Sequence, residues 1–260
     1  NDRGKCIMAC GTGKTLVGLW TAEDVKSKNT LVLLPSLSLV NQIANEWLKN
    51  ANKDISPLFV CSDKTVKRGS DGYINSTVDL GFAVTTDPKD IVKFFQVVNS
   101  DHRVVFSTYQ SSESIEDAQK LGAPKFDIII ADEAHHCAGK VDSDFARVLD
   151  GKKIKSKKRL FMTATPKYLT KRIRDQSKEK EIPVASMDDT NVFGPYFHTL
   201  NFGEAIRYEP EPLLSDYRVV VNITTSKDIQ EVAKKYLRDP LLSLCGPEET
   251  IKKLANKWHE

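Results

Sequence analysis

Residues 11–15, Gly-Thr-Gly-Lys-Thr, have the types and spacing of a loop that binds phosphate. Such a loop needs backbone N–H groups at the start of a helix, small residues where the chain turns tightly, and a lysine that reaches the terminal phosphates. The pattern G-x-x-x-x-G-K-[ST] also asks for a glycine at position 8, where this chain has Met8. An ordinary turn between a strand and a helix is the alternative, but the lysine and threonine after the second glycine favour phosphate binding.

Two adjacent carboxylates, Asp132 and Glu133, follow an apolar run that ends at Ala131. Because the carboxyl ends of strands line the ligand crevice of an open α/β sheet, this pair is what a magnesium nucleotide site requires. Asp132 would hold the metal, directly or through water, and Glu133 would orient and deprotonate an attacking water. The alternative is that acidic residues simply end a strand and cap a helix. The phosphate loop upstream favours the nucleotide site.

His135, His136 and Cys137 follow at once and raise the alternative of a zinc site, with Cys6 and Cys10 as remote ligands. Three adjacent residues cannot easily all face one ion, and no second pair of ligands has suitable spacing. We therefore interpret His136 and Cys137 as packing or surface residues.

The elements that would position these residues alternate between short apolar runs and helical patterns. Nearly continuous apolar runs are typical of parallel strands covered by helices on both faces, so an α/β fold is predicted. Asp87 and Pro88 form an N-cap and a first-turn proline, and predict the start of a helix. The predicted strands are Lys5–Ala9, Thr30–Leu34, Leu58–Cys61, Arg103–Ser107, Phe126–Ala131 and Arg159–Thr163.

The composition is that of an ordinary globular protein, with 40% apolar and 28% charged residues among 260. A net charge of +3 is too small to indicate nucleic-acid binding by itself. Basic residues are dense between Gly151 and Lys180; we interpret most of them as solvated surface, with a patch facing nucleic acid as the sharper alternative. Residues 62–86 contain glycines and little periodicity, and predict an irregular loop.

The cysteines are odd in number, scattered and never spaced as C-x-x-C, which is typical of a reduced, intracellular protein. No apolar run approaches the roughly 18 residues that suggest a membrane span, and no signal peptide is visible. The first residue is Asn1 instead of methionine, so we expect a fragment of something longer. A cytoplasmic or nucleoid-associated location is expected, with no membrane partner.

Five segments stand in a characteristic order and spacing: MACGTGKT, LVLLPSLSLVNQ, VVFSTYQS, IIIADEAHH and LFMTATP. Together they resemble the motifs of superfamily 2 helicases and translocases of the DEAH type. The tail SMDDTNVFGPYFHTLNFGEAI, followed by LLSDYRVVV, is similar to the ATPase portion of restriction-type helicases, including single-chain restriction-modification and type III-like enzymes. The resemblance extends from about Gly4 to Asn222.

This resemblance implies a RecA-like P-loop NTPase lobe, an α/β fold with a mostly parallel sheet flanked by helices. Residues 1–200 would be the N-terminal ATP-binding lobe, and residues 201–260 a linker and the truncated start of a second RecA-like lobe. Two family features are not found: the arginine fingers of the second lobe and the adenine-reading segment before the first motif. We expect the fragment alone to be weakly active or inactive as an ATP hydrolase.

The resemblance also implies roles for individual residues, with ATP and Mg²⁺ as cofactors. Lys14 would contact the β- and γ-phosphates, Thr15 and Asp132 would hold Mg²⁺, and Glu133 would be the catalytic base. His135 would link the hydrolysis site to the nucleic-acid face. The nucleotide-binding residues would be Cys10, Gly11, Thr12, Gly13, Lys14 and Thr15, and the coupling residues would be His135, Thr163, Ala164 and Thr165.

Two polar segments would contact the phosphodiester backbone of the tracked strand. Hydroxyls and backbone amides suit this role because they bind phosphate without reading sequence. For the first segment, helix capping is an equally good alternative. The candidate contacts are Ser36, Ser38 and Gln42 in the first segment, and Ser107, Thr108 and Gln110 in the second.

These features predict an ATP-dependent nucleic-acid motor, a DNA helicase or translocase of restriction or phage-defence type, with duplex DNA as the favoured partner. An RNA helicase or RNA-stimulated sensor is the first alternative. A nucleotide-gated binding module without useful hydrolysis is the second. No nuclease motif is found, so cleavage would need another domain.

Overall fold

The computed structural model describes residues 2–62, 84–141, 143–180 and 182–216, and the backbone of two further strands at 219–222 and 242–245. The chain divides into two compact units, Asn1–Ala205 and Ile206–Glu260. In the second unit, β11 (Val219–Asn222) and β12 (Leu242–Cys245) pair in parallel. All candidate site residues belong to the first unit.

The first unit is built on an eight-stranded sheet, in which every neighbouring pair is parallel, with the order β10-β1-β8-β6-β2-β5-β3-β4. Its strands are β1 (Arg3–Met8), β2 (Asn29–Leu34), β3 (Ser56–Val60), β4 (Val84–Thr85), β5 (Arg103–Thr108), β6 (Phe126–Ala131), β8 (Ser156–Thr163) and β10 (Tyr196–Leu200). Outside it, β7 (Gly139–Lys140) pairs antiparallel with β9 (Val184–Ala185).

Helices connect and cover the strands. The α-helices are α1 (Lys14–Asp24), α2 (Leu37–Asn50), α3 (Pro88–Val97), α4 (Ser112–Lys120), α5 (Lys171–Glu179), α6 (Thr190–Phe193) and α7 (Phe202–Ile206). Short 3-10 helices lie at Tyr109–Ser111, Ala134–Cys137 and Asp144–Leu149.

The central strands are buried on both faces. Every residue from Leu31 to Leu34 is at most 1% exposed, and Ile128 to Ala131 are at most 2% exposed. Burying one such aliphatic side chain stabilises the fold by about 1.5–3 kcal/mol. The α/β fold with a parallel sheet flanked by helices is therefore confirmed.

The start of α3 follows the predicted signals. Asp87 accepts a hydrogen bond on its side chain from the amide of Lys89 at 2.8 Å, and Pro88 is the first residue of the helix. Proline suits this position because its missing N–H would have no partner inside the helix. The predicted helix start is confirmed.

The strand order brings the carboxyl ends of β1, β8, β6 and β2 to one edge of the sheet, called here the carboxyl edge. Ile7 pairs with Thr163 across β1 and β8, and Ala131 pairs with Phe161 on one side and Leu33 on the other. Segments that are distant in sequence therefore begin side by side at this edge.

Two strands of the eight-stranded sheet, β4 and β10, were not predicted. In β10 the residues from Tyr196 to Thr199 are exposed and only Leu200 is buried, so no apolar run marks the strand. It forms because its backbone pairs with β1 at the border of the sheet. Most of the predicted loop at 62–86 lies outside the described residues, and Val84–Thr85 forms β4 at the opposite border.

The basic stretch is mostly surface, as interpreted, with one exception. Lys152 and Lys158 are exposed, but Arg159 is only 5% exposed. Its guanidinium donates to the backbone carbonyls of Val148, at 3.0 Å, and Ile154. The interpretation as solvated surface was made for most of the stretch, and Arg159 is an exception because its guanidinium is buried against these carbonyls. Within the described part of the chain, no helix is long and apolar enough to cross a membrane.

Candidate active site

The candidate phosphate-binding loop follows β1 and turns through two glycines. Gly11 has φ of 82° and Gly13 has φ of 85°, a left-handed conformation that side chains disfavour. Gly13 is also the N-cap of α1, so the loop delivers its amides to a helix N-terminus. The backbone needed for phosphate binding is therefore present.

Lys14 begins α1 and folds back over the loop. Its ammonium group lies 3.2 Å from the carbonyl oxygen of Met8 and 3.4 Å from that of Ala9. The Thr12 hydroxyl donates a hydrogen bond to the carbonyl oxygen of Ala9 at 2.7 Å. Met8, which replaces the first glycine of the pattern, is the last residue of β1 and is 4% exposed. The tight turn begins after it, so glycine is not required at position 8.

Asp132 lies just beyond β6, and 7% of the residue is exposed. One of its carboxylate oxygens, Oδ1, has no hydrogen-bond partner within the described structure. Burial, and then the charge of Glu133, raise the pKa of Asp132 to about 6, although nearby Lys14 acts in the opposite direction. Lys14 and Asp132 therefore share one site.

A divalent cation fits this carboxylate. A buried carboxylate oxygen without a partner is costly, and a hard cation with oxygen ligands removes that cost. Asp132 and Thr15, which is half-buried in the first turn of α1, are the residues that would hold Mg²⁺.

Glu133, Thr163 and His135 form a hydrogen-bonded group at the carboxyl edge. The Thr163 hydroxyl donates to Glu133 Oε2 at 3.3 Å and lies 2.9 Å from His135 Nδ1. It also accepts from the backbone amide of Thr165 at 3.2 Å. Because the hydroxyl has one hydrogen, it can donate either to Glu133 or to His135 Nδ1, and the tautomer of His135 decides which. Ala164, between the two threonines, is half-buried.

Glu133 has an unusual backbone, with φ of 47° and ψ of 45°. A non-glycine residue in this left-handed region costs on the order of 1–3 kcal/mol and persists only where its surroundings hold it. The turn separates the directions of Asp132 and Glu133, although the two residues are adjacent.

His136 and Cys137 lie in different surroundings, as expected for surface and packing residues. His136 is exposed, whereas Cys137 is 1% exposed and burial raises its pKa to about 12. A protonated thiol is a poor zinc ligand, since the thiolate binds the metal. Among the described residues, no group of three or more His, Cys, Asp or Glu could hold a metal ion.

The candidate nucleic-acid contacts differ in accessibility. Ser36 caps α2, where its hydroxyl accepts from the amide of Leu39 at 3.4 Å; Ser38 is half-buried and Gln42 is exposed. The capping role of Ser36 is thus present, and phosphate contact by this segment stays a prediction.

Ser107 and Thr108 are fully buried in β5. Both hydroxyls donate to groups inside the protein. The Ser107 hydroxyl donates to the carbonyl of Thr108 at 3.0 Å, and the Thr108 hydroxyl donates to the hydroxyl of Ser111 at 3.1 Å. Burial argues against direct phosphate contact through these two side chains. Gln110, half-buried, follows Tyr109 in the same segment.

Two residues at the site were not predicted from the sequence. Tyr109 donates its hydroxyl to the backbone carbonyl of Asp132 at 2.7 Å, and Trp47 donates its indole N–H to the carbonyl of Thr15 at 3.0 Å. In the sequence, Trp47 lies on the apolar face of a helical pattern and Tyr109 stands among polar residues, and neither position indicates a contact with a candidate metal ligand.

Comparison with known proteins gives partial but consistent matches. The chain is 34% identical over 165 residues to the probable helicase A859L of African swine fever virus, covering 63% of this chain and 17% of that protein. Among solved structures, it resembles the ATP-dependent Type ISP restriction-modification enzyme LlaBIII bound to DNA, with 32% identity and a TM-score of 0.69 over 92% of this chain and 16% of that one.

A second solved structure is a nuclease-deletion mutant of the Type ISP restriction-modification enzyme LlaGI in complex with a DNA substrate mimic. There the identity is 34% and the TM-score 0.62, over 90% of this chain and 20% of that one. The chain thus spans a fifth or less of the length of each of these relatives. The model of the family "Type III restriction enzyme, res subunit" (ResIII) matches residues 1–168, so the chain belongs to that helicase-related family, as the resemblance predicted.

Proposed function

We propose that this chain carries the ATP-binding lobe of a nucleic-acid motor that hydrolyses ATP to move on DNA, in a restriction or phage-defence setting. The proposal depends on one observation: the phosphate loop, a buried carboxylate with an unpartnered oxygen, and the Glu133–Thr163–His135 group lie at a single edge of the sheet.

In this proposal the loop amides and Lys14 bind the phosphates of ATP. Lys14 exchanges its contacts with the carbonyls of Met8 and Ala9 for phosphate oxygens, which bind an ammonium group more strongly. Thr15 and Asp132 would hold Mg²⁺, which would supply positive charge to offset the negative charge of the phosphates.

Glu133 orients the attacking water and accepts its proton. Its carboxylate is already held at one oxygen by Thr163, so a change in that hydrogen bond alters its position. Thr163 also contacts His135 and the amide of Thr165, and Thr165 itself is exposed. This group is the route by which a contact at the surface could change the position of the base.

Duplex DNA is the favoured partner because two relatives of similar sequence were solved with DNA or a DNA mimic. On this chain, Gln42 and Ser38 near the start of α2 present exposed and half-buried polar groups. For the second segment, the burial of Ser107 and Thr108 leaves Gln110 as the better side-chain candidate. Residues 201–260 would be the linker and the start of a second RecA-like lobe. The arginine fingers that complete the ATPase would belong to the rest of that lobe.

The test is steady-state ATP hydrolysis by the intact protein with duplex DNA, single-stranded DNA and RNA, at one fixed salt concentration. Fixed salt matters because basic surfaces bind all three nonspecifically in low salt. We expect duplex DNA to raise turnover most. Stimulation by RNA alone would favour the RNA helicase or sensor, and ATP binding without any hydrolysis would favour the nucleotide-gated module.

A further inference from the structure

The two candidate Mg²⁺ ligands have one feature in common: the backbone carbonyl of each accepts a hydrogen bond from a buried aromatic side chain. Tyr109 donates to Asp132 at 2.7 Å and Trp47 donates to Thr15 at 3.0 Å. We infer that Tyr109 and Trp47 are positioning residues that hold the two candidate metal ligands in place. This inference rests on the proposed ATP site.

Tyr109 holds one side of a tightly constrained peptide. The amide of Asp132 donates to the carbonyl of Leu33 at 3.0 Å, and its carbonyl accepts from Tyr109, so both backbone polar groups are fixed. The next residue, Glu133, has the left-handed backbone described above. Because the carbonyl of Asp132 belongs to the peptide that leads into Glu133, the tyrosine constrains the directions of both carboxylates.

The tyrosine is well suited to this role. Its side chain is fully buried and packs against Phe145 with ring centroids 5.0 Å apart and the rings tilted by 30°, so the hydroxyl has little freedom to move. Burial, and then the neighbouring Cys137, raise the pKa of Tyr109 well above its usual value. Both effects favour the protonated phenol, which is the form that donates to the carbonyl of Asp132.

Trp47 makes the equivalent connection for the phosphate loop. It is 1% exposed on α2, the helix that begins beside Ser36 and carries Ser38 and Gln42. Its indole N–H reaches the first turn of α1 at Thr15. Tyr109, similarly, lies between Thr108 and Gln110. Each aromatic donor thus belongs to one of the two segments predicted to meet nucleic acid, and each ends at a different metal ligand.

The test is Tyr109→Phe, which keeps the ring and removes only the hydroxyl. We would measure the affinity of the intact protein for a fluorescent ATP analogue in MgCl₂ and in EDTA, together with kcat and KM for ATP. We call the ratio of the affinity in MgCl₂ to the affinity in EDTA the Mg²⁺ strengthening. For Tyr109→Phe we expect unchanged affinity in EDTA. The Mg²⁺ strengthening should fall by about 10-fold, as is typical when a partner of a metal ligand is removed. The value of kcat should fall by a similar factor while KM in saturating Mg²⁺ stays within about 2-fold.

Tyr168→Phe is the matched control, because it also removes one phenol hydroxyl hydrogen bond, to Tyr196 at 2.8 Å, but on the exposed surface. It should leave Mg²⁺ strengthening and kcat unchanged. Wild-type values for Tyr109→Phe in both measurements would overturn the inference. If Tyr109→Phe melts before it can be assayed, Trp47→Phe tests the same idea at Thr15, and wild-type Mg²⁺ strengthening there would overturn it.

The two proposals fail in different ways. Wild-type protein that binds the ATP analogue with Mg²⁺ strengthening but never hydrolyses ATP would reject the motor, while the Mg²⁺ measurement would still decide on Tyr109. Normal wild-type hydrolysis that Tyr109→Phe leaves unchanged, with intact Mg²⁺ strengthening, would reject the positioning role alone.

Discussion

The two ends of β6 carry aspartates in opposite surroundings. Asp127, near the amino end, accepts from the amides of Lys28 and Asn29 at 2.9 and 3.0 Å and pairs with Lys157 at 2.6 Å. Asp132, past the carboxyl end, keeps one oxygen without a partner in the described structure. Burial would raise the pKa of Asp127, but Lys157 and the two amides bring it below its usual value. The pKa of Asp132 instead rises to about 6.

The different surroundings of Asp127 and Asp132 suggest that the amino end of β6 serves stability and the carboxyl end serves nucleotide chemistry. The amino end satisfies its charge within the protein, which is what a structural carboxylate needs. The carboxyl end leaves one buried carboxylate oxygen without a partner in the described structure, and this lowers the stability of the protein. Substitutions at the carboxyl edge should therefore change nucleotide chemistry, whereas those at the amino end should change the free energy of unfolding.

The largest effect is expected for Glu133→Gln in the intact protein. The amide keeps the size of the side chain but cannot accept the proton from water, so kcat for ATP hydrolysis should fall on the order of 1,000-fold with ATP binding retained. Steady-state phosphate release measures the first quantity and equilibrium binding the second. Glu179→Gln, at an exposed position in α5, is the control. Unchanged ATPase in Glu133→Gln would rule out its role as the base.

Lys14→Ala tests the phosphate loop, where binding depends on one charged side chain and the local backbone. We expect affinity for ATP to weaken by about 100-fold, equivalent to about 2.7 kcal/mol, because a charge-assisted contact to phosphate is lost. Isothermal titration measures it, and Lys152→Ala at an exposed loop position provides the comparison. Retention of wild-type affinity would mean that the loop does not bind phosphate.

Asp127→Asn and Asp132→Asn should change stability in opposite directions at pH 7 without nucleotide or Mg²⁺. Asp127→Asn should lower the free energy of unfolding by about 1–2 kcal/mol, because the ion pair with Lys157 and the strength of two hydrogen bonds are lost. Asp132→Asn should raise it, since a buried, incompletely partnered charge is removed. Urea unfolding measures both values.

The pH dependence of the two variants gives a second check. The pKa of Asp127 is lower in the folded protein than its usual value of 3.8. Asp127 therefore stabilises the fold at pH values above 3.8, and this stabilisation is lost as pH falls through the pKa of the folded protein. With a raised pKa, Asp132 makes the metal-free protein less stable as pH rises from 3.8 to about 6. The difference between each variant and wild type should vanish at low pH. A destabilised Asp132→Asn at pH 7 would contradict the comparison between the two ends of β6.

The smallest effect is expected for Thr163→Val, which keeps the shape and removes the hydroxyl shared by Glu133 and His135. ATP affinity should stay within about 2-fold, and DNA-stimulated kcat should fall by about 10-fold, as for loss of one hydrogen bond that orients a catalytic group. Thr199→Val, exposed on β10, is the control. Equal stimulation by DNA in wild type and Thr163→Val would remove the coupling role.

Much of the fold followed from local patterns. The strands that were predicted are those with continuous apolar runs, and β10 was missed because most of its side chains are exposed. The helix start at Pro88 was predicted because capping is decided by neighbouring residues. The burial of Arg159 and of Ser107 was not predictable, because their polarity indicates surface and only the neighbouring strands show otherwise.

By itself, the sequence determined the family, the parallel α/β architecture and the phosphate loop, because a loop of contiguous residues carries its own backbone geometry. Only the tertiary structure decided which groups meet. Tyr109 and Trp47 donate to the backbone carbonyls of Asp132 and Thr15, and the Thr163 hydroxyl contacts the side chains of both Glu133 and His135. These contacts depend on the order of strands in the sheet. That order is set by packing of the whole domain and leaves no periodic signal in the segments that it joins.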